Sequence, residues 1–272
     1  MHKAFLVGIN DYAPAGYSEQ DLSGCINDVE DVANTLIICG FESKNIRICT
    51  NKRATKQGIL KGLDWLIKSA KKADSLVFYY SGHGSQVVDT DKDEIDRKDE
   101  ILCPHNIDFY TNTYLADDDL RNIFSRLASG VNLEVILDSC HSGTGTREPD
   151  KKIRFLKPPF DYTFHIDYEP DLKLAGLLKK KGDGKKPEIA SGLNHILWAA
   201  CKENQTSEET EIDGKVRGVF SYHFCKILRR TNGNIQRSRL YKLLCSAIKR
   251  SGFSQTPQLE GSSSEILEET FK

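Results

Sequence analysis

One stretch constrains this chain more than any other: Leu133-Glu134-Val135-Ile136-Leu137-Asp138-Ser139-Cys140-His141-Ser142-Gly143. A mostly apolar run, β-branched at Val135 and Ile136, leads into Asp-Ser-Cys-His and then into small residues. A run this short reads as a buried strand rather than a helix. Open α/β sheets carry their sites at the carboxyl ends of parallel strands, which puts Cys140 on such a rim. A second stretch has the same form: Ser75-Leu76-Val77-Phe78-Tyr79-Tyr80 ends in Ser81-Gly82-His83-Gly84. If the two strands are parallel neighbours, His83 and Cys140 meet on one rim as a base and its nucleophile.

The rest of the chain supplies the sheet and its covering. Ala4 to Ile9 is a first strand, followed by a loop at Asn10–Gly16. Ile26, Val29, Val32, Ala33, Leu36 and Ile37 recur at helical spacing, and Gly40 stops that helix. A short strand at Ile46–Cys49 precedes a helix that begins at Thr55, with Ile59, Leu60, Leu63, Leu66 and Ile67 on one face. Asp117-Asp118-Asp119 opens a helix through Leu127, with acids at its positive end. His195–Ala200 is another buried strand, then helices follow at about Val219–Arg230 and Ile235–Arg250. Strands alternating with helices imply a parallel sheet covered on both faces.

A formal net charge of −1 leaves no basic footprint for nucleic acid. No apolar run approaches membrane-spanning length, and Met1-His2-Lys3 leads into a strand without a signal-peptide pattern. The eight cysteines never fall as Cys-x-x-Cys, so buried reduced thiols are expected rather than zinc or a disulfide framework. The expected setting is the cytoplasm. No Gly-x-x-x-x-Gly-Lys-[Ser/Thr] follows a strand, which disfavours a nucleotide hydrolase. The charge run Asp89–Glu100 fits several EF-hand positions, but Glu94 replaces the glycine of the sharp turn, so it reads as a solvated acidic loop.

Ser81-Gly82-His83-Gly84 and Asp138-Ser139-Cys140-His141-Ser142-Gly143 resemble the catalytic motifs of metacaspases, at the caspase-type separation of about 50 residues. Gly24-Cys25-Ile26-Asn27-Asp28, Ala199-Ala200-Cys201-Lys202-Glu203-Asn204-Gln205, Gly218-Val219-Phe220-Ser221-Tyr222 and Gln255-Thr256-Pro257-Gln258-Leu259 continue the pattern in order. The resemblance, closest to prodomain-less metacaspases of prokaryotic type, implies the caspase–haemoglobinase fold. That is an α/β domain with a mostly parallel six-stranded sheet and helices on both faces. It divides the single domain into a large-subunit-like part (1–143), a basic linker (144–190) and a small-subunit-like part (191–272). It also implies a cysteine endopeptidase with His83 and Cys140 as its dyad, requiring no cofactor for the chemistry itself. The backbone N–H groups of Gly84 and Cys140 would form the oxyanion hole, where losing one donor typically costs about 2.7–4 kcal/mol.

By the same resemblance, Cys25, Asp28, Ser81 and Asp138 line the S1 pocket. Two carboxylates beside a thiol are expected to receive a cation, so Arg or Lys at P1 is the anticipated substrate feature. Calcium-dependent metacaspases use aspartates matching Asp99, Asp117 and Asp118, plus one after the cysteine. Here Arg147 stands at that last place with Glu148 beside it, which leaves calcium open. The linker ends in a basic run, Lys179-Lys180-Lys181-Gly182-Asp183-Gly184-Lys185-Lys186. Together with Arg147, Lys152 and Arg154 these lysines are candidate processing sites, cut by the chain itself or by an upstream activating protease. On this reading the linker covers the cleft of a monomeric zymogen until it is cut. The competing readings are a caspase-fold signalling module that needs no catalysis, a calcium-independent paracaspase-like peptidase, and a peptidase of the same clan with another P1 preference.

Overall fold

The computed structural model describes residues 1–88, 98–141, 151–159, 162, 195–202 and 205–272. The strands are β1 (His2–Gly8), β2 (Ile46–Thr50), β3 (Ser75–Ser81), β4 (Gly84–Val88), β5 (Lys98–Leu102), β6 (Leu115–Ala116), β7 (Asn132–Asp138), β8 (Lys152–Ile153), β9 (Ile196–Ala199), β10 (Glu208–Ile212), β11 (Lys215–Gly218) and β12 (Gln258–Glu260). The helices are α1 (Cys25–Ile38), α2 (Lys56–Ile67), α3 (Asp117–Phe124), α4 (Val219–Thr231), α5 (Arg237–Arg250) and α6 (Ser263–Leu267).

A six-stranded sheet in the order β12-β9-β7-β3-β1-β2 forms the centre. All its pairings are parallel except β12 on β9. Side chains alternate across each strand, as the pleat requires. From β3, Leu76, Phe78 and Tyr80 join one apolar cluster with Ile59, Leu63 and Leu66 of α2 and Leu120 and Phe124 of α3. Val77 and Tyr79 face the other way and pack with Val29, Val32 and Leu36 of α1, Phe220 and Phe224 of α4, and Leu240 and Leu244 of α5. Strands buried on both faces read as continuous apolar runs, which is why β3 and β7 stand out in the sequence.

Local chemistry sets several boundaries. The Thr55 side chain caps α2 by accepting from the Gly58 N–H at 3.1 Å. The helix that opens at Asp117 stops at Phe124 rather than Leu127, and the chain then turns at Gly130 with φ +81°. Two three-stranded antiparallel sheets, β4-β5-β6 and β11-β10-β8, flank the central one and had no counterpart in the sequence reading.

Glu134 ties β7 to the carboxyl-terminal end of the chain. Its buried carboxylate accepts from Trp198 Nε1 at 2.9 Å, Arg237 Nε at 3.1 Å and the Phe271 N–H at 2.8 Å. Glu134→Ala leaves the Arg237 guanidinium buried without this partner, so the unfolding free energy is expected to fall by about 3–5 kcal/mol. Urea denaturation of the variant measures this directly. A loss below about 1 kcal/mol would mean that Glu268, 3.6 Å from Arg237 Nη1, already answers the guanidinium charge.

Candidate active site

β3 and β7 run in parallel with Ser81 beside Asp138, so the residues two positions further on each strand, His83 and Cys140, reach the same rim. Gly84 is where the two chain segments touch. A Cβ there would overlap the Cys140 carbonyl and lie 2.8 Å from the His141 ring, so only glycine lets them approach.

His83 is buried and firmly oriented. Its N–H donates to the Tyr12 hydroxyl at 2.8 Å, and its carbonyl accepts from the Tyr80 hydroxyl at 2.8 Å. Nε2 lies 2.5 Å from the Gln20 carbonyl oxygen. A carbonyl can only accept, so Nε2 carries the proton and Nδ1 presents its lone pair. Nδ1 is buried without a hydrogen-bond partner among the described residues. Burial holds the imidazole down to a pKa of about 4. The Cys140 thiol, 3.8 Å from the Ser207 carbonyl, is pushed up to about 12, mainly by burial. Thiol and imidazole are therefore both neutral near pH 7, with no resting thiolate.

Beside them lies an anionic recess that Arg154 fills. Arg154 is fully buried, and its Nη1 contacts Ser81 Oγ at 2.8 Å and Asp138 Oδ2 at 3.0 Å. Nη2 contacts Asp28 Oδ2 at 2.6 Å and Glu209 Oε2 at 3.3 Å. Burial raises Asp28 to about 6 and the neighbouring Asp138 adds to the rise, while Arg154 opposes it. Asp138 is fixed from the other side by Ser207 Oγ at 2.6 Å and Ser221 Oγ at 2.5 Å. Cys25 is buried beside this cluster, and burial pushes its thiol well up, with Arg154 opposing the rise and Glu209 and Asp28 adding to it.

The structure thus brings Asp28, Asp138 and Ser81 onto one guanidinium. Sequence reasoning missed the third carboxylate, Glu209, and the bracing hydroxyls of Ser207 and Ser221. Ser221 lies inside the Gly218–Tyr222 motif, the one signal that could have found it. Gly218 also matters, because a Cβ there would lie 2.7 Å from Arg154 Nη1.

The backbone around Arg154 is held like an added strand. β8 pairs antiparallel with β10, and the Arg154 N–H donates to the Ser207 carbonyl at 3.0 Å. The Arg154 carbonyl oxygen accepts from the Gly84 N–H at 3.0 Å and the Cys140 N–H at 3.2 Å. Those are the two donors expected of an oxyanion hole, and they converge on one oxygen. A cleft of about 780 Å³ opens alongside, lined by residues 16–22, His83, Lys152 and Phe155. Lys152 is exposed, its ammonium 2.8 Å from the Asp21 carbonyl. Arg147, Lys179, Lys180, Lys181, Lys185 and Lys186 lie outside the described residues.

Of the three aspartates considered for calcium, two lie at the start of α3 and one on β5. Asp117 and Asp118 both bind the Arg121 guanidinium, at 2.8 and 2.7 Å, so a tethered cation already answers their charge. Asp99 lies on β5, whose Ile101 and Leu102 pair with Ala116 and Leu115 just before α3, and among the described residues no group of three His, Cys, Asp or Glu side chains assembles to hold a metal ion. The stretch with Arg147 and Glu148 lies outside the described residues. No helix among the described residues is long and apolar enough to cross a membrane.

Two solved structures share this architecture. A protein from Geobacter sulfurreducens superposes with a TM-score of 0.69 at 24% identity, over 99% of this chain and 98% of that one. Caspase-1 from Spodoptera frugiperda gives 0.59 at 12% identity, over 96% and 86%. The fold is that of the caspases. Residues 2–149 match the model of the metacaspase, peptidase C14 domain. The chain is 33% identical to Metacaspase-1 of Scheffersomyces stipitis over 94% of its own length and 70% of that protein. It is 34% identical to Metacaspase-1A of Aspergillus oryzae over 94% and 67%. The chain belongs to the metacaspase family, a family of cysteine peptidases.

Proposed function

We propose that this metacaspase is an endopeptidase that cuts after Arg, and less readily after Lys, with His83 and Cys140 as its dyad. Its own Arg154–Phe155 bond is the first substrate. One observation carries the reading: the Arg154 carbonyl oxygen sits between the Gly84 and Cys140 N–H groups while its guanidinium lies among Asp28, Asp138 and Glu209.

In the proposed reaction His83 Nδ1 takes the thiol proton as Cys140 Sγ bonds to the Arg154 carbonyl carbon. The oxygen becomes negative between the two N–H donors. The C–N bond to Phe155 breaks, and His83 returns the proton to the leaving amine, so the acyl group remains on sulfur. Water, deprotonated by His83, then releases the Arg154 carboxylate and restores the thiol. No step is routed through calcium. Arg is preferred because its fork places one nitrogen on Asp138 and Ser81 and the other on Asp28 and Glu209. A Lys ammonium is a single point charge and cannot engage both arms.

Fluorogenic peptides ending in Arg, Lys or Asp, each assayed with calcium and with chelator, test the assignment. Turnover is expected in the order Arg, Lys, Asp, with the last near background. Efficient cleavage after Asp would overturn it.

The base is active only when neutral, and His83 stays neutral above about 4. Internal cleavage is therefore expected to fall in two steps, a partial one near pH 6 as Asp28 protonates and loosens its hold on Arg154, and a complete one near 4 as His83 protonates. Complete loss of the rate near 6.5, persisting in Asp28→Asn, would instead mark an ordinary, solvated histidine. Quenching samples over a pH series and following the intact chain on gels measures the midpoint.

A further inference from the structure

Arg154 has a neighbour that is as deeply buried as itself. From Lys152 to Lys157 the chain is exposed, half-buried, buried, half-buried, buried and exposed. Arg154 and Leu156 are the two buried positions, both at 0% exposure. This is the period of an extended segment that turns alternate side chains inward. Leu156 is gripped along its backbone too. Its N–H donates to the Gly84 carbonyl at 2.9 Å, and its carbonyl accepts from Ser85 Oγ at 2.8 Å. Its side chain joins the apolar cluster that also holds Val87, Ile101 and Phe109. The half-buried Phe155 between them lies beside Gly84 in a parallel bridge.

We infer that the site has a second specificity pocket on the leaving-group side, selecting a large aliphatic residue two positions after the scissile bond (P2′). The inference rests on the reading of Arg154–Phe155 as the internal scissile bond. A protein substrate must lay its own leaving side where Phe155 and Leu156 lie, so the internal segment vacates and its apolar seat opens. Gly84 and Ser85 directly follow His83, so the backbone grip on P2′ comes from the same turn of chain that carries the base. The Gly84 carbonyl and Ser85 hydroxyl hold any residue's backbone alike, whereas the apolar seat distinguishes side chains. Selection at P2′ is therefore expected to follow apolar size, and the exposed Lys152 and Lys157 positions are expected to select weakly.

Internally quenched peptides of the form Lys-Ile-Arg-Phe-X, with X as Leu, Ala, Lys or Asp, test this on the wild-type chain after self-cleavage. An Arg–coumarylamide, which has no P2′ residue, serves as the reference substrate. With Leu at X, kcat/KM is expected to exceed that with Ala by about tenfold or more, and Asp to be the poorest. A flat series beside good turnover of the coumarylamide would overturn the P2′ pocket and leave the peptidase reading standing. No turnover of either substrate would overturn the peptidase reading itself.

Discussion

His83→Gln is expected to lower kcat on an Arg peptide by about 10²–10⁴-fold, the usual worth of a positioned general base. The imidazole is the only partner proposed to receive the thiol proton, and the thiol is far from ionising by itself because burial pushes Cys140 up to about 12. The Gln20 carbonyl keeps the proton on Nε2, which leaves Nδ1 basic. Glutamine fills the space without a titrating nitrogen, so KM is expected to change little. The acid limb near pH 4 is expected to vanish from the residual activity. A variant with near-normal kcat would show that His83 is structural. Stopped assays under saturating peptide separate the two.

Asp138→Ala is expected to lower kcat/KM on the same peptide by about 10²–10³-fold, mostly through KM. Truncating one member of a buried, hydrogen-bonded charge pair costs about 2–5 kcal/mol in binding. Asp138 engages Arg154 Nη1 at 3.0 Å with neither side chain exposed, so no water softens the loss. The guanidinium is bound before and during the reaction alike, which is why the effect falls on KM. Asp138→Asn removes the charge, keeping one acceptor oxygen and offering an NH2 to the other serine hydroxyl, and distinguishes lost charge from local collapse. A change of less than about threefold in both variants would exclude Asp138 from P1 recognition.

The sequence made the central sheet legible because its strands are buried on both faces. β1, β3 and β7 are nearly uninterrupted apolar runs, and α1 and α2 repeat apolar residues at helical spacing. Neither small sheet was legible: the β4-β5-β6 sheet buries Val87, Ile101, Leu102 and Leu115 but on short strands set beside a charge run, and the β11-β10-β8 sheet turns charge inward. Glu209 in β10 points into the recess at Arg154, so its strand carries no apolar alternation, although the Asp213-Gly214 turn signal is present with φ of 50° and 74°. β8 is a strand only by docking on β10, and its two residues sit in a stretch whose composition reads as loop.

The same distinction runs through the site. His83, Cys140, Asp28 and Asp138 could be singled out because their residue types and motifs suggest chemistry. The Gln20 carbonyl that fixes the imidazole has no signature, since every residue has a carbonyl. Arg154 was one basic residue among several in the linker. Nothing in its immediate sequence marks it as the one seated among Asp28, Asp138 and Glu209, because that choice is made by three distant segments of chain.

Mapping new amino termini by mass spectrometry, after incubating the purified wild-type chain and a Cys140→Ala chain, tests the central claim most directly. The account predicts a terminus at Phe155 in the wild type, formed at a first-order rate independent of protein concentration, and none at that position in Cys140→Ala. New termini only at other basic residues, or the Phe155 terminus appearing in the Cys140→Ala chain, would contradict it.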